Sequence, residues 1–284
     1  MDHIKVSVMM CARNARPFIG EAIDSTLRQT YADFELIVVD DGSTDGTPDM
    51  VRRYADPRLR LICRPPGYIA SLNAGLDCCR GEYIARMDAD DRMEPVRLER
   101  QLEVMERMPD VALCSSPAVV FGAVQGRVGD FFHGRVDCPL LRLFSGNFVV
   151  HPSVMLRRSF LLRHGLRYEE GYPYAEDFRL WTGIALKGGA FYVMDEPLLQ
   201  YRTSAAQTTS RHFEAQEETR LRLHEEIALQ LLQRTAPEAR RTAVMAYEAL
   251  MRLNGRGLLT ADTLMTTLIE MFHALRARKL LADA

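Results

Sequence analysis

The residues best suited to do chemistry are carboxylates gathered at three points of the chain. Asp88-Ala89-Asp90-Asp91 sets three of them directly behind the apolar run Tyr83-Ile84-Ala85-Arg86-Met87. Carboxylates packed so closely raise one another's pKa unless a cation compensates. Hard oxygen ligands suit Mg2+ or Mn2+, which take one or two protein carboxylates and complete their shell with waters and diphosphate oxygens. An ion held there would offset charge developing on a diphosphate leaving group. Asp91 or Glu94 also suits the cap of a helix beginning near Pro95, because proline favours the first helical turn. Capping accounts for part of the run but not for all of it.

The second point is Glu176-Asp177, in a segment Tyr174-Ala175-Glu176-Asp177-Phe178-Arg179-Leu180-Trp181 that opens a helix. A carboxylate at a helix N-terminus is stabilised by the helix dipole. In the alternative role it is a general base that takes the proton of an attacking hydroxyl. Trp181, the chain's single tryptophan, follows one turn on and suits either a sugar-stacking surface or the core. The third point is Asp40-Asp41-Gly42-Ser43-Thr44-Asp45, where carboxylates can accept hydrogen bonds from a nucleobase N–H or ribose hydroxyls. The same residue types build an Asx turn and cap the next helix. His151 before a strand and Arg202 at the end of another are weaker candidates, with phosphate pairing a role for the arginine. Gly67, Asn73 and Gly75 mark a turn and a closely packed helix.

These residues need elements to hold them. Strands are expected at Val6–Met10, Phe34–Val39, Leu59–Ile62 and Tyr83–Met87, alternating with helices over 17–31, 47–54 and 69–79. That order implies an α/β fold with a mostly parallel, doubly wound sheet and ligands at the carboxyl ends of its strands. Further on, strands are expected at 111–120 and 154–157 and a helix at 177–187. From about residue 211 the pattern is helical, with stripes over 214–234, 237–253 and 261–281 and a break at Asn254-Gly255. The expected organisation is a domain over 1–210 and a C-terminal helical appendage over 211–284, with no internal repeat.

Composition narrows the class. A formal net charge of −2 over 284 residues is no footprint for nucleic acid, which requires clustered cations. The six cysteines form no CxxC pair and no zinc-type spacing with histidine, so reduced, buried thiols are expected. The N-terminal residues resemble no signal peptide, and no run reaches the roughly 18 apolar residues of a spanning helix. The expectation is a cytoplasmic protein, at most peripheral to a membrane. The loop Cys11-Ala12-Arg13-Asn14-Ala15-Arg16 lacks glycine, which argues against a sugar nucleotidyltransferase or a dinucleotide-dependent oxidoreductase.

Taken in order, Val6–Asn14, Leu36–Thr47, Ser71–Leu76, Met87–Asp91, His151–Met155 and Glu176–Trp181 resemble the family 2 glycosyltransferases, of GT-A fold, over residues 4 to 210. The resemblance implies a metal-dependent, inverting transfer from a nucleotide-diphosphate sugar to a hydroxyl, with Mn2+ or Mg2+ as cofactor. A UDP-sugar is the expected donor, a hexosyl or N-acetylhexosaminyl group the cargo, and a saccharide or lipid-linked molecule of surface polysaccharide or glycolipid assembly the acceptor. Ala12, Arg13, Asn14 and Asp40 are then placed on the base and ribose. Asp88 lies by the ribose or metal, Asp90 binds the metal, and Asp177 is the catalytic base. Asp41, Asn73, Ala89 and Arg202 join the donor side, while Glu176, Trp181 and His151 stand on the acceptor or supporting side. A catalytically degenerate nucleotide-sugar binder is the alternative.

Two departures matter. Tyr201-Arg202 continues into Thr203-Ser204 without the histidine many relatives carry, which leaves His212, His151 or an extra water as the third ligand. Arg64-Pro65-Pro66-Gly67 stiffens the approach to the donor loop. The last helix ends Ala274-Leu275-Arg276-Ala277-Arg278-Lys279-Leu280-Leu281, basic and apolar together, which suits a peripheral membrane contact or a homodimer.

Overall fold

The computed structural model describes residues 4–130, 132–203 and 213–282. Strands β1 (Val6–Ala12), β2 (Phe34–Asp41), β3 (Leu59–Arg64) and β4 (Tyr83–Asp88) run parallel in the order β3-β2-β1-β4. Helices α1 (Ile19–Leu27), α2 (Thr47–Val51) and α3 (Tyr68–Cys78) make the crossovers between them. Side chains alternate across a strand, so the two faces can be read directly. Val6, Val8 and Met10 of β1 enter one core with Ile19 and Ile23 of α1, whereas Met9 enters the other with Leu72 of α3. Apolar residues on both faces of the same strand are the mark of a sheet covered on both sides.

The register brings the strand ends level. Ala12 lies opposite Asp40, Cys11 opposite Asp88, and Asp41 opposite Arg64. The first and third acidic points of the sequence therefore meet at one edge of the sheet.

Beyond β4 the chain departs from simple alternation. β5 (Arg92–Met93) and α4 (Arg97–Arg107) lead to β6 (Val111–Ser115), β7 (Ala118–Gly122), β8 (Gly126–Val128) and β9 (Gly134–Val136). Then come α5 (Pro139–Phe144), a 3-10 turn at His151–Ser153, β10 (Met155–Arg157), α6 (Arg158–His164), α7 (Glu176–Leu186), β11 (Ala190–Val193) and β12 (Leu199–Thr203). The large sheet continues β4-β10-β6-β11-β9, with β10 antiparallel to both its neighbours. The strand expected over 111–120 is two strands in two different sheets. Pro117 has no N–H to give a ladder, and the chain turns there. A small second sheet, β5-β12-β7-β8, was not expected at all. Its pairing of Leu199 with Met93 joins segments too distant for local periodicity to register.

The C-terminal helices are α8 (Phe213–Arg234), α9 (Pro237–Gly255) and α10 (Ala261–Ala277). The expected boundary at 210 lies outside the described residues. α9 ends at Gly255, at the expected break, and α10 stops short of 281. Leu223, Ile227 and Leu231 of α8 share one apolar core with Leu141 of α5 and Ile184 of α7. Phe144 meets both Phe272 of α10 and the His224 ring edge-on, at 5.4 and 5.9 Å. None of the six cysteines is bonded to another. Cys79, Cys114 and Cys138 are buried as expected, Cys11 and Cys78 partly so, and Cys63 is exposed.

Candidate active site

Asp88 closes β4, and Asp90 and Asp91 follow in the turn. Among the described residues these three form the one group able to share a metal ion, their oxygens all within 4.8 Å of one another. Burial, and then the charge of Asp88, pushes Asp90 up to about 6 and Asp91 up to about 8. Neither Asp91 nor Glu94 caps α4, whose capping residue is Val96 and has no side-chain bond. Asp91 instead accepts the Arg202 N–H on Oδ1 at 2.7 Å, while its buried Oδ2 has no hydrogen-bond partner among the described residues. Three crowded oxygen donors, with the proton affinity of Asp90 and Asp91 raised, and one orphaned buried oxygen fit a hard divalent cation. Asp88, Asp90 and Asp91 are the residues that would hold it.

Two arginines shape this turn. Arg86, 3% exposed inside β4, pairs with Asp88 Oδ1 at 2.6 Å, and its Nη1 is buried without a hydrogen-bond partner among the described residues. Its charge also lowers the proton affinity of Asp90, Asp91, Glu176 and Asp177, so it bears on both acidic points. The signal for it was present in sequence as a lone cation within an apolar strand. Arg202 was expected on a phosphate. Its Nε donates to the Asp90 carbonyl at 2.7 Å, its Nη2 pairs with Glu21 at 2.6 Å, and its guanidinium lies over Phe18 and Phe121. In this structure Arg202 is a brace for the acidic turn. The small second sheet delivers it there, which is why its role was illegible beforehand.

The loops after β1, β2 and β3 are knitted together. Asp40, buried, accepts the Ser43 N–H at 3.1 Å on Oδ2, while its Oδ1 is buried with no hydrogen-bond partner among the described residues. The Asx turn and the vacant acceptor thus coexist on one carboxylate. Asp41 Oδ1 accepts the Gly67 N–H and the Ser71 hydroxyl, both at 2.7 Å, and Arg13 approaches its other oxygen at 3.7 Å. Asn14, with φ 50°, receives Thr44 N–H on its side chain and donates its own N–H to Ser43. Gly42 has φ +70°, and a Cβ there would fall 2.6 Å from Pro66. The two-proline loop packs directly on the Asp-Asp-Gly turn, and only glycine permits it. Ala12 and Ala89 are buried beside these turns.

The third acidic point opens α7. Ala175 is the capping residue and makes no side-chain bond, so Glu176 and Asp177 stand in the first turn. Asp177 accepts the Phe178 N–H at 2.6 Å on one oxygen and the Asn147 amide at 3.2 Å on the other. Burial raises its pKa. Asn147, in the loop after α5, carried no sequence signal. Burial, and then the Asp177 charge, pushes Glu176 up to about 7.

Glu176 gives a stability prediction. A carboxylate whose folded pKa exceeds its unfolded value costs nothing below the unfolded pKa. Its cost grows as pH rises through the folded one. Glu176→Gln should therefore raise Tm at about pH 8 and lose that gain near pH 5, by calorimetry at the two values. An equal shift at both would refute the account.

Three expected site residues have other duties. Trp181 is 0% exposed and packs edge-on against His151 at 5.7 Å, so it is core and offers no sugar-stacking face. The His151 ring Nε2 lies 2.9 Å from the Tyr168 hydroxyl, and burial keeps its pKa well below the usual value. It supports the site and is no member of the metal-ligand group. His212 lies outside the described residues. Asn73 donates to the Tyr168 carbonyl at 2.9 Å and accepts the Tyr168 N–H at 3.1 Å, which commits its amide to a backbone and away from a donor.

A family model described as glycosyl transferase family 2 matches residues 7–165. A Haemophilus influenzae protein described as an uncharacterized glycosyltransferase is 33% identical over 238 residues, spanning 78% of this chain and 72% of its own. Staphylococcus aureus TarS, solved in complex with UDP-GlcNAc, superposes with a TM-score of 0.66 at 18% identity, over 97% of this chain and 88% of that one. A Pyrobaculum calidifontis mannosyltransferase, solved with GDP-Man and Mn2+, gives 0.57 at 22%, over 98% and 87%.

Proposed function

The chain belongs to glycosyl transferase family 2, with the GT-A type of fold, and on that premise we propose the reaction it performs. It moves a hexosyl or N-acetylhexosaminyl group from a nucleotide-diphosphate donor, a UDP-sugar, to an acceptor hydroxyl with inversion at the anomeric carbon. The observation that carries this reading is the pair of acidic centres. One is a crowded acidic turn at the end of β4, the other a half-buried carboxylate at the start of α7, and Arg86 bears electrostatically on both.

Asp40, Arg13 and the loop through Asn14 receive the base and ribose, where the vacant Asp40 oxygen suits a nucleobase N–H. A bound Mn2+ or Mg2+ would neutralise charge growing on the departing diphosphate. Asp177 takes the proton of the acceptor hydroxyl as that oxygen forms its bond to the anomeric carbon. The bond from that carbon to the diphosphate breaks in the same displacement, so no covalent sugar–enzyme species forms. Asn147 holds the Asp177 carboxylate in place throughout. A saccharide or lipid-linked acceptor of surface polysaccharide or glycolipid assembly fits this chemistry. No described helix is long and apolar enough to cross a membrane, in keeping with work at the cytoplasmic face where nucleotide sugars are available.

The test is a thermal-shift screen of UDP-, GDP- and dTDP-sugars with and without Mn2+, since a ligand selective for the folded state raises Tm. A UDP-sugar with Mn2+ should give the largest rise, and candidate acceptors should then release UDP. If no nucleotide sugar shifts Tm under either condition, the reading fails.

A further inference from the structure

The loop that leads into α7 is held from the C-terminal side of the chain. Its first half is tied to α3, by Asn73 on the Tyr168 backbone and by Arg167 bonding Asp77 through two nitrogens at 2.8 Å each. Its second half is tied to α8. Arg222 donates to the Gly171 carbonyl at 2.8 Å, and Gln216 donates to the Tyr174 carbonyl at 3.0 Å. Between them the Tyr172 hydroxyl donates to Glu226 at 3.1 Å, and the Arg222 guanidinium lies 4.1 Å from the Tyr172 ring centre.

The two gripped carbonyls belong to the two residues of this segment with left-handed backbones, Gly171 at φ 86° and Tyr174 at φ 61°. Glycine adopts that conformation freely, whereas a tyrosine held there is strained and persists only where the surroundings impose it. Ala175 follows at once as the capping residue of α7, without a side-chain bond to set the first turn. The direction in which Glu176 and Asp177 leave the loop is therefore set by Tyr174, and Tyr174 is held by α8.

We propose that Gln216 and Arg222 of α8 are positioning residues for the transfer reaction, fixing the strained Tyr174 backbone so that Asp177 faces the acceptor hydroxyl. The C-terminal helices are on this view a working part of the acceptor side. The proposal rests on the assignment of Asp177 as base. Displacing a catalytic group by about 1 Å can cost roughly 100-fold in rate, which sets the scale of the effect.

The experiment uses the full chain carrying Gln216→Ala and Arg222→Ala together, with Gln216→Ala alone as the milder variant. Both side chains are at least partly exposed, so neither change opens the core. Expected are a fall in kcat of about 10- to 100-fold and unchanged Mn2+-dependent affinity for the UDP-sugar. Adding Tyr174→Gly should restore much of the lost kcat, because glycine holds the left-handed backbone without help. Wild-type kcat in the double variant overturns the proposal. So does donor affinity falling in step with kcat, or a loss that Tyr174→Gly leaves untouched. Asp177→Asn run in parallel separates the two failures. If Asp177→Asn stays active the base assignment is wrong, and if it is dead while the double variant is active only the clamp is wrong.

Discussion

Asp90→Ala is expected to abolish the Mn2+-dependent part of donor affinity and to lower transfer by about 1000-fold, the scale for losing a centre that stabilises transition-state charge. Asp88, Asp90 and Asp91 sit within 4.8 Å, and burial already raises the proton affinity of Asp90 to about 6. A charged carboxylate there destabilises the metal-free fold increasingly as pH rises through that value. Metal-free Asp90→Ala should therefore melt no lower than the wild type at about pH 8, and should lose the rise in Tm that Mn2+ gives the parent. Calorimetry with and without Mn2+, alongside titration of a UDP-sugar, reads both effects. Full Mn2+-dependent donor affinity in Asp90→Ala would remove Asp90 from the metal site. Asp88→Ala is a less clean probe, because it also leaves the buried Arg86 cation without its partner.

Asp177→Asn should leave donor affinity intact and reduce transfer by about 100- to 10,000-fold, the range attributed to a positioned general base. The change keeps the size of the side chain and retains an oxygen for the Phe178 N–H, but an amide accepts no proton from a hydroxyl. Burial raises the Asp177 pKa, so activity should fall on the acid side at a pH above the ordinary carboxylate range near 3.9. The sign follows from the role, since the base works only when deprotonated. Glu176 is pushed up to about 7 and is still protonated when Asp177 titrates, so Glu176→Gln should leave that acid limb close to its wild-type pH. A pH–rate profile of kcat in the two variants checks this. Undiminished transfer by Asp177→Asn would sink the assignment.

The donor edge was legible because parallel strands end where ligands bind, and the chain marks those ends with acidic turns. The alternation of Val6, Val8 and Met10 against Met9 is written in one dimension, and so is the run Asp88-Ala89-Asp90-Asp91. The duties of Arg202, Asn73 and Asn147 were not legible. Each is defined by a partner far along the chain: the Asp90 carbonyl, the Tyr168 backbone and the Asp177 carboxylate. Hydrogen bonds across such separations leave no period in the sequence. Trp181 was undecided for a different reason, since an aromatic on a helix reads alike whether its face meets the core or a sugar.

The carboxylates named first thus divide by the kind of information that places them. Covalent adjacency alone crowds Asp88, Asp90 and Asp91, and like charges so close disfavour ionisation unless a cation compensates. Glu176 and Asp177 are adjacent as well, but their adjacency implies only a helix start. Their burial, the Asn147 contact and the direction of their turn come from α5, α7 and α8 packed into one core. The electrostatic need is local and was written in the sequence. The orientation of Asp177 is a property of distant segments brought together, and only the folded chain supplies it.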